Sequence, residues 1–308
     1  MKRFTAVLII AAMLFSLCSC TVEKQSGKPQ IIATLFPQYD FARAIVGDTA
    51  DVTLLISPGT ETHSFDPSAR DMVKLRECDA VLYTGDESEP WVPSLLKGND
   101  GNFTIIDVSD GIELIDLDDH DDRDHDHGHA HHHNTDPHIW TSPVNAIKMI
   151  ENICSALGTL YPEYSETYRQ NAENYIEQLK ELDNGIREVV NSAKRREIVC
   201  GGEFALLYFV TEYGLRYTAA FDSCGGESEP SPRRVAQIID KINEDDIPVI
   251  YYAELSNTAV ADTIAADTGA EALLLHSCHN VTREDFENGV TYLLLMRQNL
   301  ENLRKGLN

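Results

Sequence analysis

Eleven histidines are spread very unevenly along this chain. His120, His125, His127, His129, His131, His132 and His133 crowd one tract, Asp118 to His133, whose one hydrophobic side chain is Ala130. Such a tract has nothing to pack with and is expected as a solvated loop. Imidazoles interleaved with carboxylates chelate borderline divalent ions such as Zn2+ in many exchangeable arrangements. The plain alternative is an inert acidic loop.

The other four, His63, His138, His276 and His279, stand apart from that tract. His63 lies in a turn-rich stretch, Ser57 to Ser68, directly after the strand-like run Asp51 to Ile56. His276 directly follows another such run, Glu271 to Leu275, and opens His276-Ser-Cys-His279. Loops beyond the carboxyl ends of parallel strands are where α/β proteins build ligand sites. Glu203 takes the same position after Glu197 to Cys200, with Gly201-Gly202 loosening the turn, although a carboxylate there also suits the start of a helix. His138, in Asp136-Pro-His-Ile-Trp140, fits a ligand and a hydrogen-bonded core imidazole equally well. Two candidate ligands thus stand in each half.

The elements that must position these side chains follow a repeating plan. Short β-branched runs at Ile31 to Phe36, Asp51 to Ile56, Ala80 to Gly85 and Phe103 to Val108 alternate with helical stretches such as Tyr39 to Val46 and Ser68 to Glu77. The second half repeats it, with strands at Glu197 to Cys200, Arg216 to Phe221, Pro248 to Ala253 and Glu271 to Leu275. Its helices are expected near Phe204 to Tyr213, Pro232 to Glu244 and Thr258 to Asp267, with a last one from Arg283 to Arg304. This pattern predicts an α/β fold of two lobes, each a parallel sheet flanked by helices. Between them, apolar residues at Tyr164, Tyr168, Ala172, Tyr175, Leu179, Leu182, Ile186 and Val189 recur every three or four positions after Pro162. They predict one long rigid helix of roughly 45 Å. The expected divisions are 1–19, 20–29, a first lobe 30–160 with the His-rich loop 118–133, a linking helix 161–194 and a second lobe 195–308.

Lys2 and Arg3 precede an apolar run, Phe4 to Cys18, too short to span a bilayer of about 30 Å comfortably. It is expected to be an export signal, and Leu17-Cys-Ser-Cys20 resembles a bacterial lipobox that would leave Cys20 lipidated after cleavage. Residues 21–29 then form a polar tether. Of the seven cysteines, five remain beyond Cys20, an odd number that leaves at least one unpaired; Cys224 with Cys278 is the preferred pair. The formal net charge of −25 excludes a nucleic-acid binder, which needs surplus cations to displace counterions. Ten acids against the single base Arg123 fall between Asp107 and Asp126, beside the His-rich tract, where they would attract cations.

Taken together these features resemble the metal-binding lipoproteins of zinc and manganese ABC importers, over essentially the whole chain. The carriers are the lipobox, Pro58-Gly59 with His63 and Pro67-Ser68, and Asp136-Pro-His-Ile-Trp140. To these add Tyr208-Phe209, Tyr213-Gly-Leu215, Ser228-Glu-Pro-Ser231 and Tyr292-Leu-Leu-Leu-Met-Arg-Gln-Asn299. The resemblance implies an ion in the cleft between lobes, held by His63, His138, Glu203 and His276. The last replaces the more usual aspartate before a serine, which leaves His279 or Cys278 open as alternatives. Three imidazoles and a carboxylate suit Zn2+ over Mn2+, and the His-rich loop points the same way.

The function implied is a non-enzymatic, extracytoplasmic zinc receptor, a monomer lipid-anchored to the bacterial cell membrane, that delivers its ion to an ABC permease. Manganese is the alternative cargo. A zinc hydrolase or a surface zinc store working through the His-rich loop are the competing classes; the chain has no His-Glu-x-x-His and no nucleophile elbow.

Overall fold

The computed structural model describes residues 27–60, 62, 65–86, 88–96, 103–117, 135–222 and 230–308. The export signal, Cys18, Cys20, His63, the His-rich tract 118–133 and Cys224 lie outside the described residues.

The first lobe holds β1 (Gln30–Ala33), α1 (Phe36–Val46), β2 (Asp51–Leu54), α2 (Ala69–Glu77), β3 (Ala80–Tyr83), α3 (Trp91–Leu96) and β4 (Thr104–Asp107). Its four strands are all parallel, in the order β2-β1-β3-β4. β3 is buried along its length, as a strand covered by helices on both faces must be. Ser68 caps α2 by accepting the Asp71 N–H.

Then α4 (Pro143–Leu160) begins where Ser142 accepts the Asn145 N–H and Pro143 takes the first helical position. The linking helix α5 (Ser165–Ser192) follows a single 3-10 turn at Pro162–Tyr164, so proline starts the turn and not the helix itself. Its 28 residues give a rod of about 42 Å. Tyr168, Ala172, Tyr175, Leu179, Leu182, Ile186 and Val189 form its buried stripe, the three-four spacing read from the sequence.

The second lobe comprises β5 (Glu197–Phe204), α6 (Leu207–Tyr213), β6 (Arg216–Asp222), α7 (Pro232–Glu244), β7 (Val249–Tyr252), α8 (Ala259–Thr268) and β8 (Glu271–Leu274), closed by α9 (Arg283–Glu287) and α10 (Tyr292–Leu307). The sheet order β6-β5-β7-β8 repeats that of the first lobe. The single final helix expected from Arg283 is in fact two. Gly289, at φ +73°, turns the chain and Thr291 restarts it by capping α10.

Among the described residues no helix is long and apolar enough to cross a membrane. One apolar cluster runs through both lobes and the rod, from Ile31 and Phe41 through Trp140, Tyr175 and Leu179 to Tyr251 and Leu307. A buried polar tie reinforces it. Asp40 Oδ2 accepts from the Tyr175 hydroxyl at 2.7 Å and from the Tyr292 N–H at 3.0 Å, joining α1, α5 and α10. Burial pushes that carboxyl's pKa up. A continuous core of this kind holds the lobes as a stiff pair, because opening it would expose aromatic side chains worth about 1.5–3 kcal/mol each.

Candidate metal centre

A cavity of about 260 Å3 lies between the lobes, lined by Thr62 and His138 from the first and by Glu203, Glu254, Ser277 and His279 from the second. In each sheet the strand order reverses beside the first strand, between β1 and β3 and between β5 and β7. Glu203 lies one residue before the end of β5 and Glu254 just beyond β7, so both stand at the switch point of the second sheet, where crevices form.

His138 is fully buried and held from behind. Asp136 Oδ1 accepts from the His138 backbone N–H at 2.8 Å and pairs with its ring Nδ1 at 2.9 Å. That carboxylate places the proton on Nδ1 and leaves the Nε2 lone pair for a ligand bond, the usual outer-shell arrangement of a metal-binding imidazole. The Tyr208 hydroxyl, from α6 of the opposite lobe, donates to Asp136 O at 2.9 Å and accepts the Ile115 N–H at 3.0 Å. The Asp-Pro-His turn is thus braced by both lobes.

Glu203 does not cap a helix. β5 runs three residues beyond Gly201 to Phe204, and the residue preceding α6 is Leu206, with no side-chain cap. The extension is made by an irregularity in pairing between Cys200 and Glu203, a bulge that re-aims the strand's last side chains. Gly201 permits it, since a Cβ there would stand 2.7 Å from the backbone of Ala261.

The turn from His276 to His279 separates its side chains sharply. His276 is nearly buried and is not among the residues lining the cavity. Its Nδ1 accepts the Cys278 N–H at 2.9 Å, and its backbone exchanges hydrogen bonds with the Asn299 carboxamide at 2.7 Å in both directions. Cys278 is a free thiol sealed in the core, with left-handed φ of +61°; Cys224, its expected partner, lies outside the described residues. Burial, with the charges of Glu254 and Asp40, pushes the Cys278 pKa well up, and the residue is not among those lining the cavity. His279 is the residue that reaches the cavity. Its ring meets His138 edge to face, centroids 5.0 Å apart at 87°, and Thr62 Oγ1 lies 2.7 Å from its Nε2.

Trp140 closes the third side. Its ring stands 5.6 Å from His138 and 5.1 Å from His279, and its Nε1–H donates to Ser277 O at 2.9 Å. Among the described residues, no three His, Cys, Asp or Glu side chains are already gathered closely enough to hold an ion. Sequence reasoning passed over Glu254, Asn280 and the bracing role of Asp136. The signal for Glu254 was its place directly after an apolar strand, the same signal that singled out His276.

Residues 31–306 match the family described as zinc-uptake complex component A, periplasmic. This chain belongs to that family. A zinc-binding lipoprotein of Streptococcus pneumoniae, AdcA, is 35% identical over 308 residues, and the chain spans 61% of that relative's length. The high-affinity zinc uptake system protein ZnuA of Bacillus subtilis is 31% identical over 99% of this chain and 98% of its own. The Zn(II)-bound ZnuA-like domain of the pneumococcal AdcA superposes with a TM-score of 0.77 at 32% identity, over 91% of this chain and 99% of that domain. The family's two α/β lobes with a long connecting helix are the architecture described above.

Proposed function

We propose that this member of the zinc-uptake component A family is the extracytoplasmic receptor of an ABC importer, which takes up Zn2+ in the interlobe cleft and hands it to a permease. The observation that carries this reading is the meeting of His138 and His279, one from each lobe, edge to face in a cavity that Glu203 also lines. His138, Glu203 and His279 are the ligands assigned here, with His63 as the fourth; its neighbour Thr62 lines the same cavity. His279 replaces His276 in the set, because the His276 ring is engaged by its own turn. Three imidazoles with one carboxylate make a tetrahedral sphere suited to zinc.

The cavity holds a second carboxylate, Glu254, and an oxygen-rich sphere would favour manganese. That carboxylate is already engaged by the Ser277 and His279 N–H groups, so zinc remains the preferred cargo. No reaction is required of the site. Cys20 would carry the lipid anchor and the His-rich tract would concentrate zinc beside the cleft, binding it more weakly. Protons compete for imidazole nitrogens, so affinity falls as pH drops.

Competitive titration of the metal-free protein with Zn2+ and Mn2+ tests the reading. One tight zinc site that survives deletion of residues 118–133 supports a cleft receptor. Loss of all tight binding on that deletion would make the chain a zinc store, and tight manganese binding that zinc fails to displace would reverse the cargo.

A further inference from the structure

We propose that Glu254 is the positioning residue that presents His279 to the cleft; the inference rests on the ligand set assigned above. Glu254 stands two residues beyond the end of β7, and its side chain is only 8% exposed. Its two oxygens take the whole turn in hand. Oε2 accepts the Ser277 N–H at 2.7 Å, while Oε1 accepts the Ser277 hydroxyl and, at 3.2 Å, the His279 N–H. Between those two amides the Cys278 N–H is taken by the His276 ring. Three successive N–H groups are thus folded around two side chains.

The turn needs that hold. Cys278 stands at φ +61°, a region that costs a non-glycine residue about 1 kcal/mol or more. In that conformation the Cys278 side chain points into the core and His279 swings to the opposite side, against His138. Without the carboxylate, the Ser277 N–H and hydroxyl would lose their acceptor and the His279 N–H would keep only Ser277 Oγ at 3.2 Å, and relaxation of Cys278 would carry His279 away from the cavity. The same engagement keeps Glu254 out of the ion's own coordination sphere while leaving its negative charge close behind it. Glu254 thereby favours a nitrogen-rich sphere and tunes the site without touching the ion.

A double-mutant cycle on the full chain separates this from a merely structural role, with zinc affinity read by competition against a chromophoric chelator. E254A is expected to weaken zinc binding by about 10–100-fold, the range for lost outer-shell partners. In the H279A background the same change should cost less than about 2-fold, because the residue through which it acts is gone. E254Q, which keeps the side chain's size and one acceptor oxygen, should fall between wild type and E254A and guards against a variant that does not fold. Equal losses in both backgrounds, or E254A and E254Q at wild-type affinity, overturn the inference and leave the ligand set standing. H279A at wild-type affinity overturns the ligand set itself.

Discussion

The imidazoles of His138 and His279 stand 5.0 Å apart and nearly perpendicular, one delivered by each lobe. Their approach is fixed by groups that cross the same boundary. The Trp140 indole touches both rings and donates to Ser277 O, while the Tyr292 hydroxyl donates to Trp140 O at 2.6 Å. An ion bound between the two rings would therefore couple directly to the relative position of the lobes, which is the property a carrier needs if release is to follow from a change of shape.

The two histidines of the His276–His279 turn should separate cleanly. H279A is expected to weaken zinc binding by more than about 100-fold, beyond the usual effect of an outer-shell change. H276A should stay within that outer-shell range but lower the melting temperature, since the buried Cys278 N–H loses its acceptor. Chelator competition and thermal unfolding of the metal-free protein read the two effects.

Asp136 should matter through His138 alone. Removing its carboxylate in D136A frees the ring to rotate and to change tautomer, so zinc affinity should drop by about 10–100-fold. In a D136A/H138A double variant the loss should be no greater than in H138A.

Asn280 clamps the two lobes beside the cleft. Its carboxamide donates to Ser57 O at 3.1 Å and to Thr60 O at 2.9 Å, and the Gly59 N–H donates to Val281 O at 2.8 Å. N280A leaves two carbonyls of the 57–60 loop without this donor and should destabilise the protein by about 1–3 kcal/mol. Hydrogen exchange at Gly59 should quicken in the variant, and exchange in β1 should not.

Glu89 gives the first lobe a pH dependence of its own. Its Oε2 accepts the Thr84 N–H at 2.6 Å and the Gln38 amide at 3.3 Å, while Oε1 is buried with no hydrogen-bond partner among the described residues. Burial raises its pKa to about 7. The folded protein then holds a proton that the unfolded chain has released, so this group's contribution is greatest below the ordinary glutamate range and declines as pH rises through about 7. Stability should fall by on the order of 2 kcal/mol between pH 4.5 and pH 8 from this residue. Denaturant unfolding across that range should be flatter in E89Q.

Most of the scaffold was legible because alternation and periodicity are local. All eight strands fall within or next to runs that the sequence marks, and the α5 stripe follows the three-four spacing residue by residue. The departures came from long-range geometry. β5 passes through Gly201-Gly202 because the Ala261 backbone leaves room only for glycine at Gly201, and a pair of glycines in a sequence signals a turn just as readily. Likewise, His276 and His279 are equivalent by type and position; which one enters the cleft depends on the left-handed Cys278 between them. Glu254 gained its importance from a strand order that places β7 beside β5, a relationship that no local pattern encodes.

Anomalous diffraction at the zinc edge from crystals of the zinc-loaded protein locates the ion and its ligands. One strong peak in the interlobe cavity, about 2.0–2.2 Å from His138 Nε2, a Glu203 oxygen and a His279 ring nitrogen, is the predicted result. A peak bonded to His276, or zinc found only along residues 118–133 with the cleft empty, would contradict it.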